Sequence, residues 1–250
     1  MYGAAGAERI RCAHVVIVGL GGVGSWAAEA FARSGVSRIT LIDFDHIAES
    51  NINRQVHALD STLGQAKVQA MRQRIMLINS ECHVECIEAF VDTENWPRIL
   101  SLNSYFDPKS VAVIDACDQV KAKIAMATWA IKNNALLISV GAAGGKRLAH
   151  RVEIDDLSAV THDPLLAKIR YSLRKEHGVP RLGKMHLACV FSREAVQQPA
   201  VQCEKNLQQS FPVSWQQDST LNCHGYGSVV SVTSTFGMCA VSWVLNKIAD

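Results

Sequence analysis

The chain has 250 residues, 48% of them hydrophobic and 19% charged, with a formal charge of +2. That length buries a proper core without a covalent staple, and the balance is that of a globular protein, which excludes a disordered or collagenous chain. A charge this close to zero gives no strong global field, so any nucleic-acid contact must come from a local patch.

"HVVIVG" (14–19) predicts a buried parallel strand, and "GVGSWAAEAFARSG" a helix that begins in the glycine loop and stops at Gly35. "RITLID" (38–43) is the second strand. Residues 64–78 carry helical spacing through Ala66, Ala70, Met71, Ile75 and Ile78, and "HVECIEAF" is a third strand candidate. Within it, "CHVEC" (82–86) sets Cys82, Val84 and Cys86 on one face, where buried thiols are expected. "SVAVIDACD" (110–118) ends a fourth strand with two carboxylates, "VKAKIAMATWAIKNN" is the helix behind it, and "LLISVGAAGG" (136–145) is a fifth strand running into a glycine turn.

This alternation predicts an α/β fold: a Rossmann-like open, mainly parallel sheet with helices on both faces and a C-terminal α+β elaboration. Ligands are expected at the carboxyl ends of the strands. Residues 1–148 form the nucleotide-binding module on this reading. Residues 149–250 are the elaboration, with a short strand "HRVEIDDL", a helix "DPLLAKIRYSLRKEHG", a strand "HLACVFS" and a loop-rich run to Gly227. The last apolar run, "VVSVTSTFGMCAVSWVLNKI" (229–248), is roughly of bilayer length. Its hydroxyl residues, Gly237, Asn246 and Lys247 favour a packed C-terminal helix, with membrane association through residues 229–248 as the alternative.

The eight cysteines form no C-x-x-C pair, and no signal peptide precedes the first apolar run. A reducing cytoplasm is the reading, with no structural zinc expected.

Gly19, Gly21, Gly22 and Gly24 permit a tight turn with close backbone approach to phosphate, and the helix behind them favours negative charge. Asp43, roughly twenty residues on, is placed to accept hydrogen bonds from a ribose. Both features suit NAD as well as ATP. The discriminating stretch is "DFDHIAESNINRQ" (43–55), where Asp43 and Asp45 are followed by Asn51, Asn53, Arg54 and Gln55, and then by Lys67. Hydride transfer needs few groups that offset charge at phosphorus. Nucleotidyl transfer needs several: a guanidinium and an ammonium for the triphosphate, and amide donors to orient it. A solvated loop with an arginine ion pair is the plainer alternative. Asp118 or Asp115, at a strand's C-terminal end, can hold Mg²⁺ against a departing pyrophosphate. Asp118 is the preferred metal-facing residue, with capping of the following helix as its alternative, and Asp115 is a capping or orienting one.

Taken in order, "VIVGLGGVGS", "LIDFD", "SNINRQ", "GQAK" and "IDACD" resemble the ATP-binding module of the ubiquitin-activating superfamily, which includes the bacterial sulfur-carrier adenylyltransferases. The resemblance implies attack of a carboxylate on the α-phosphorus of ATP, giving an acyl adenylate and pyrophosphate. Carried over by motif, Asp43 binds the ribose, Asn51, Arg54 and Lys67 contact phosphates, and Asp118 binds magnesium. Further along, "GGVGSWAAEAFARSG", "NRQVHAL", "GAAGG", "DPLLAKIR" and "ACVFSRE" are similar to the bacterial threonylcarbamoyladenosine dehydratases, and with them the resemblance spans nearly the whole chain. It implies ATP-dependent cyclisation of the threonylcarbamoyl side chain on the adenosine just 3′ of the tRNA anticodon. It also implies a homodimer working beside a cysteine desulfurase and its sulfur-acceptor protein. Ring closure is intramolecular, so proximity replaces an enzyme thioester and no cysteine is obligatory.

Cys223, in glycine-rich "NCHGYG", is a candidate thiol or persulfide acceptor, whereas Cys189 sits in an apolar strand and reads as core. Lys168, Arg170, Arg174, Lys175, His177, Arg181, Lys184 and His186 form the best local patch for tRNA phosphates, with an ordinary solvated helix face as the alternative. "GAAGG" either offers carbonyls to a monovalent cation, Na⁺ or K⁺, or is a simple turn. Related enzymes are similar in carrying an arginine-bearing segment before the Tyr-Gly that here is Tyr2-Gly3. The expectation is that the start is truncated or that Arg9 or Arg11 substitutes. Three rivals remain open at this point. They are an enzyme adenylating the C-terminus of a ubiquitin-like sulfur carrier, disfavoured by the missing zinc pairs, an NAD-dependent oxidoreductase, and a non-catalytic nucleotide-binding scaffold.

Overall fold

Apolar runs without alternation make strands that must be covered on both faces. The computed structural model describes residues 1–100, 111–197 and 227–250. Among them the sheet has seven strands: β1 (His14–Val18), β2 (Arg38–Ile42), β3 (His83–Ile87), β4 (Val111–Asp115), β5 (Leu136–Val140), β6 (Val152–Asp156) and β7 (Ala188–Ser192). Their order is β3-β2-β1-β4-β5-β7-β6. Only β6 runs antiparallel, paired with β7, which itself lies parallel to β5. The strands beyond residue 148 therefore extend the same sheet.

Helices α1 (Gly3–Arg11), α2 (Gly24–Arg33), α3 (Lys67–Ile78) and α6 (Val230–Ala249) cover one face. Helices α4 (Val120–Asn133) and α5 (Pro164–Glu176) cover the other. The period of two along β1 makes the division: Val15 and Ile17 join Phe31, Met71 and Phe236, while Val16 and Val18 join Met126, Leu166 and Ile169. With β2 and β4 both flanking β1 in parallel, the chain winds outward in two directions from β1 and β4. A crevice must open at the carboxyl ends of that pair.

The sequence reading missed one local element and anticipated two others. Helix α1 carries little apolar periodicity, burying only Gly6 and Ile10, so packing against α6 rather than pattern defines it. Strand β5 stops at Val140, and "GAAGG" is loop, because Gly141 donates to Val190 of β7 and Gly145 takes φ +70°. Helix α6 directs Val232, Phe236, Ala240 and Val244 into the core, and a Cβ at Gly237 would meet the Val23 carbonyl at 2.7 Å. Its apolar surface is used in that crossing, and no described helix is long and apolar enough to cross a membrane.

Candidate nucleotide site

Two of the glycines are required by packing and one leaves room. Gly19 has φ +90°, and a Cβ on it would lie 2.8 Å from the Cys117 amide nitrogen. A Cβ on Gly24 would lie 1.8 Å from the Gly19 carbonyl oxygen. Above Gly21 there is nothing within 4 Å. The loop is thus pressed onto the β4–α4 connection, with its open side toward the crevice.

Asp43, just past β2, accepts from the Leu20 amide at 2.6 Å and the Asp45 amide at 2.8 Å. It ties the second strand to the glycine loop, and each oxygen keeps a further lone pair for a ligand hydroxyl. Burial pushes its carboxyl above the ordinary range, against the opposing pull of Lys67. Lys67 opens α3 with its side chain buried, and its Nζ sits 2.8 Å from Asp45 Oδ2. Asn51 is buried, its Oδ1 accepting from the Ala48 amide at 3.1 Å. Arg54 is half-buried, and Nη1 donates to the Ser50 carbonyl at 2.6 Å and to Asn53 Oδ1 at 2.9 Å. Burial lowers its pKa from the usual guanidinium value. The Trp26 indole N–H donates to the Arg54 carbonyl at 2.9 Å and fixes the backbone there. Gln55 is buried, and its Oε1 has no hydrogen-bond partner among the described residues.

Asp43, Asp45, Asn51, Arg54, Gln55, Lys67 and Asp118 all line one cleft of about 300 Å³ with Gly19, Gly21 and Gly22. That volume is at the lower end for small-molecule sites, and the cleft is open to solvent. Asp118 is half-buried and makes no hydrogen bond or ion pair among the described residues. It caps nothing: the residue before α4 is Gln119, without a side-chain cap. Asp115 is wholly buried beneath the cleft, its Oδ2 3.0 Å from Lys123 Nζ and accepting from Ser139 Oγ at 2.6 Å. The Cys117 thiol donates to its other oxygen at 3.2 Å. Burial by itself depresses the Lys123 ammonium, but the groups around it, Asp115 foremost, raise it above its ordinary value. Of the two carboxylates of "DACD", one is structural and one is free.

Several cleft residues escaped sequence reasoning. Ala142, Ala143 and Gly144 form one wall, held by Asp163 at the start of α5, whose Oδ2 accepts from the Ala142 amide at 2.8 Å. Ser228 and Thr233 reach it from the beginning of α6. Phe44 and Phe90 stand at its edge, ring centroids 4.8 Å apart and each about half exposed. The Lys123 pairing had a legible signal. It shares a helix face with Ala127 and Ala130, and a cation on an apolar face needs a buried partner.

The basic patch is not gathered at the cleft. Helix α5 starts beside Ala142 and runs about 20 Å away from it toward the amino end of β7. Lys168, Lys175, Arg181, Lys184, His177 and His186 are exposed there. Arg170 Nη1 donates to the carbonyls of Leu157 and Val160 at 3.0 and 2.7 Å, which holds a loop. Arg174 is half-buried. Arg9 donates to the Ile248 and Ala249 carbonyls and so caps α6, while Arg11 pairs with Glu8. The Arg11 carbonyl accepts from Ser37 at the amino end of β2, so neither arginine faces the chain's own cleft. Burial pushes the Cys189 and Cys117 thiols far up, which suits inert core thiols. Cys223 lies outside the described residues.

Comparison with known proteins follows the same lines. The chain is similar to the tRNA threonylcarbamoyladenosine dehydratase of Escherichia coli (strain K12), 38% identical over 253 residues that span 99% of this chain and 90% of that protein. It is similar to the protein of that name in Haemophilus influenzae, 40% identical over 243 residues, 96% of this chain and 87% of that protein. A crystal structure of the E. coli tRNA N6-threonylcarbamoyladenosine dehydratase in complex with ATP matches with a TM-score of 0.83 at 37% identity, covering 99% of this chain and 90% of that one. The model of the ThiF family matches residues 1–250, and on these matches the chain belongs to the ThiF family and, within it, to the tRNA threonylcarbamoyladenosine dehydratases.

Proposed function

We propose that the protein uses ATP to cyclise the threonylcarbamoyl side chain of the modified adenosine beside the tRNA anticodon. The observation that carries this reading is the convergence of Asp43, Arg54, Lys67 and the unengaged Asp118 on one cleft at the sheet's switch point. A ribose acceptor, two cations for phosphate and a free carboxylate are what nucleotidyl transfer needs, and more than hydride transfer needs.

Asp43 accepts from the ribose hydroxyls, and the open side of Gly21 admits the phosphates to the helix N-terminus. Arg54 and Lys67 offset charge on the triphosphate, with Lys67 leaving Asp45 to do so, and Asn51 and Gln55 orient it. Asp118 fits Mg²⁺, which takes one or two carboxylates together with substrate phosphates. An ion held by Asp118 would supply the positive charge that offsets the departing pyrophosphate.

The side-chain carboxylate bonds to the α-phosphorus of ATP, and pyrophosphate leaves with the electron pair of the broken bond. A carbamoyl atom then bonds to the acyl carbon and loses a proton. AMP departs carrying the former carboxylate oxygen. The nucleoside loses one water, and ATP becomes AMP and pyrophosphate. Intramolecular attack supplies the effective concentration that a thioester would otherwise provide.

Residues 149–250 are assigned the tRNA and partner contacts. Lys168, Lys175, Arg181 and Lys184 contact phosphates far from the modified base, as a substrate the size of tRNA allows. A homodimer, a cysteine desulfurase with its sulfur-acceptor protein, and a cytoplasmic location complete the proposal. Its test is AMP release from ATP and Mg²⁺ with tRNA that carries or lacks threonylcarbamoyladenosine, with the nucleoside mass read from both. AMP release together with loss of one water from the modified nucleoside is the expected result. AMP release driven instead by a ubiquitin-like carrier protein, with the tRNA unchanged, overturns it.

A further inference from the structure

Asn53 precedes Arg54 in the loop beside the cleft, is exposed, and is itself no part of the cleft lining. Both ends of its side-chain amide are nevertheless engaged. Oδ1 accepts from Arg54 Nη1 at 2.9 Å, and Nδ2 donates to the Ser228 carbonyl at 2.8 Å, 175 residues away in the chain. Turning the amide over sets donor against donor and acceptor against acceptor, so the two partners fix its orientation. Arg54 Nη1 gives a second hydrogen bond to the Ser50 carbonyl at 2.6 Å. The guanidinium is therefore held by one nitrogen, and the edge formed by Nε and Nη2 makes no hydrogen bond among the described residues. Such an edge grips phosphate oxygens in pairs.

The far end of this bridge is the start of α6. Ser228 stands two residues before Val230, and Ser228, Thr233 and Arg54 all line the cleft. The same elements meet again at the glycine loop, where a Cβ on Gly22 would lie 3.1 Å from Arg54 Cγ and 3.1 Å from Thr233 Cβ. The arginine stem and the first turns of α6 thus pack on one glycine. We propose that Asn53 is a positioning residue that holds the Arg54 guanidinium with its free edge available to phosphate and ties it to the start of α6, so that ATP binding and the seating of α6 on the glycine loop are coupled. The coupling runs both ways. An anchored α6 preorients the arginine, and a phosphate on the free edge of Arg54 stabilises the first turn of α6. The inference rests on the reading of Arg54 as a phosphate ligand. It gives Asn53 a task apart from that of Asn51, which is buried and bonded within its own loop at Ala48.

Asn53→Ala removes both bonds and, at an exposed position, leaves the fold intact. Affinity for ATP with Mg²⁺ is measured by titration calorimetry, without tRNA, for wild type, Asn53→Ala, Arg54→Ala and the double variant. Asn53→Ala is expected to weaken ATP binding by about 3–10-fold, the range of a single hydrogen bond. Once Arg54→Ala has removed the guanidinium, the same change is expected to cost less than about twofold, because its effect passes through Arg54. A merely structural asparagine gives the same loss in both backgrounds, and that result overturns the proposal. Hydrogen exchange supplies a second readout. The Val232 and Thr233 amides, both bonded to the Val229 carbonyl in the first turn of α6, are expected to exchange more slowly when ATP is added to wild type and to show no such slowing in Asn53→Ala. Equal slowing in the two proteins overturns the coupling. If wild type binds no ATP, the nucleotide reading falls together with this proposal. If ATP binds and the losses are additive, the proposal falls alone.

Discussion

Lys123 Nζ lies 3.0 Å from Asp115 Oδ2 with neither side chain exposed, directly beneath the loop that presents Asp118. The ammonium also donates to the Val140 carbonyl at 2.7 Å, so a single buried cation joins the ends of β4 and β5 to α4. The floor of the cleft is built on an ion pair.

Breaking that pair leaves an uncompensated buried charge. Lys123→Ala is expected to lose about 3–5 kcal/mol of stability, read as a lower urea midpoint at unchanged slope. Removing both charges with Lys123→Met and Asp115→Leu together is expected to cost less than Lys123→Ala alone. A Lys123→Ala midpoint equal to wild type contradicts the buried pair.

Asp118 and Arg54 separate chemistry from folding. Asp118 makes no hydrogen bond or ion pair among the described residues, so Asp118→Ala is expected to keep the wild-type Tm while AMP formation is lost. Arg54→Ala is expected to slow adenylation by about 10²–10³-fold, the usual loss for one transition-state donor. Turnover retained in Asp118→Ala removes that residue from the magnesium role, and an unchanged rate in Arg54→Ala removes the guanidinium from the phosphates.

The glycine loop predicts opposite outcomes for two alanines. Gly24→Ala places a Cβ against the Gly19 carbonyl, and the forced shift is expected to cost about 1–3 kcal/mol. Gly21→Ala points into open space, so the fold is expected to keep its Tm while ATP affinity falls. Titration calorimetry with ATP alongside thermal melting distinguishes the two. Equal losses of stability count against the geometry.

His57 adds a pH dependence. It is buried at 1% exposure, neither ring nitrogen has a partner among the described residues, and burial lowers its pKa from 6.5 to about 4. The folded state therefore holds the ring neutral while the unfolded chain protonates it. Stability is intact above the unfolded pKa near 6.5 and falls as the pH drops toward about 4. Between pH 7 and pH 5 this one group is expected to cost about 2 kcal/mol. His57→Phe is expected to flatten the acid limb of a plot of unfolding free energy against pH. An unaltered slope shows that the ring is protonated in the folded protein.

The features legible in the sequence are those governed by local pattern. Uninterrupted apolar runs made β1, β2 and β4 strands of a sheet covered on both faces, and the spacing of Gly19, Gly21 and Gly24 placed a phosphate-sized turn ahead of α2. Asp43 and Asp118 were legible because each stands just beyond a strand that the pattern already specified, Arg54 because it follows the amides of "SNINRQ", and Lys67 because it lies in the helix predicted behind that run. Which charges are free depends instead on long-range packing. Asp115 and Asp118 are three residues apart, yet one faces Lys123 and Ser139 while the other faces the cleft. Arg170 and Lys146 look like any surface cations in a polar stretch, and both are spent on backbone carbonyls supplied by other parts of the chain. Helix α1 and the depth of α6 depend on each other's packing. A side chain's partners are set by what long-range folding brings opposite it, and local periodicity carries no record of that.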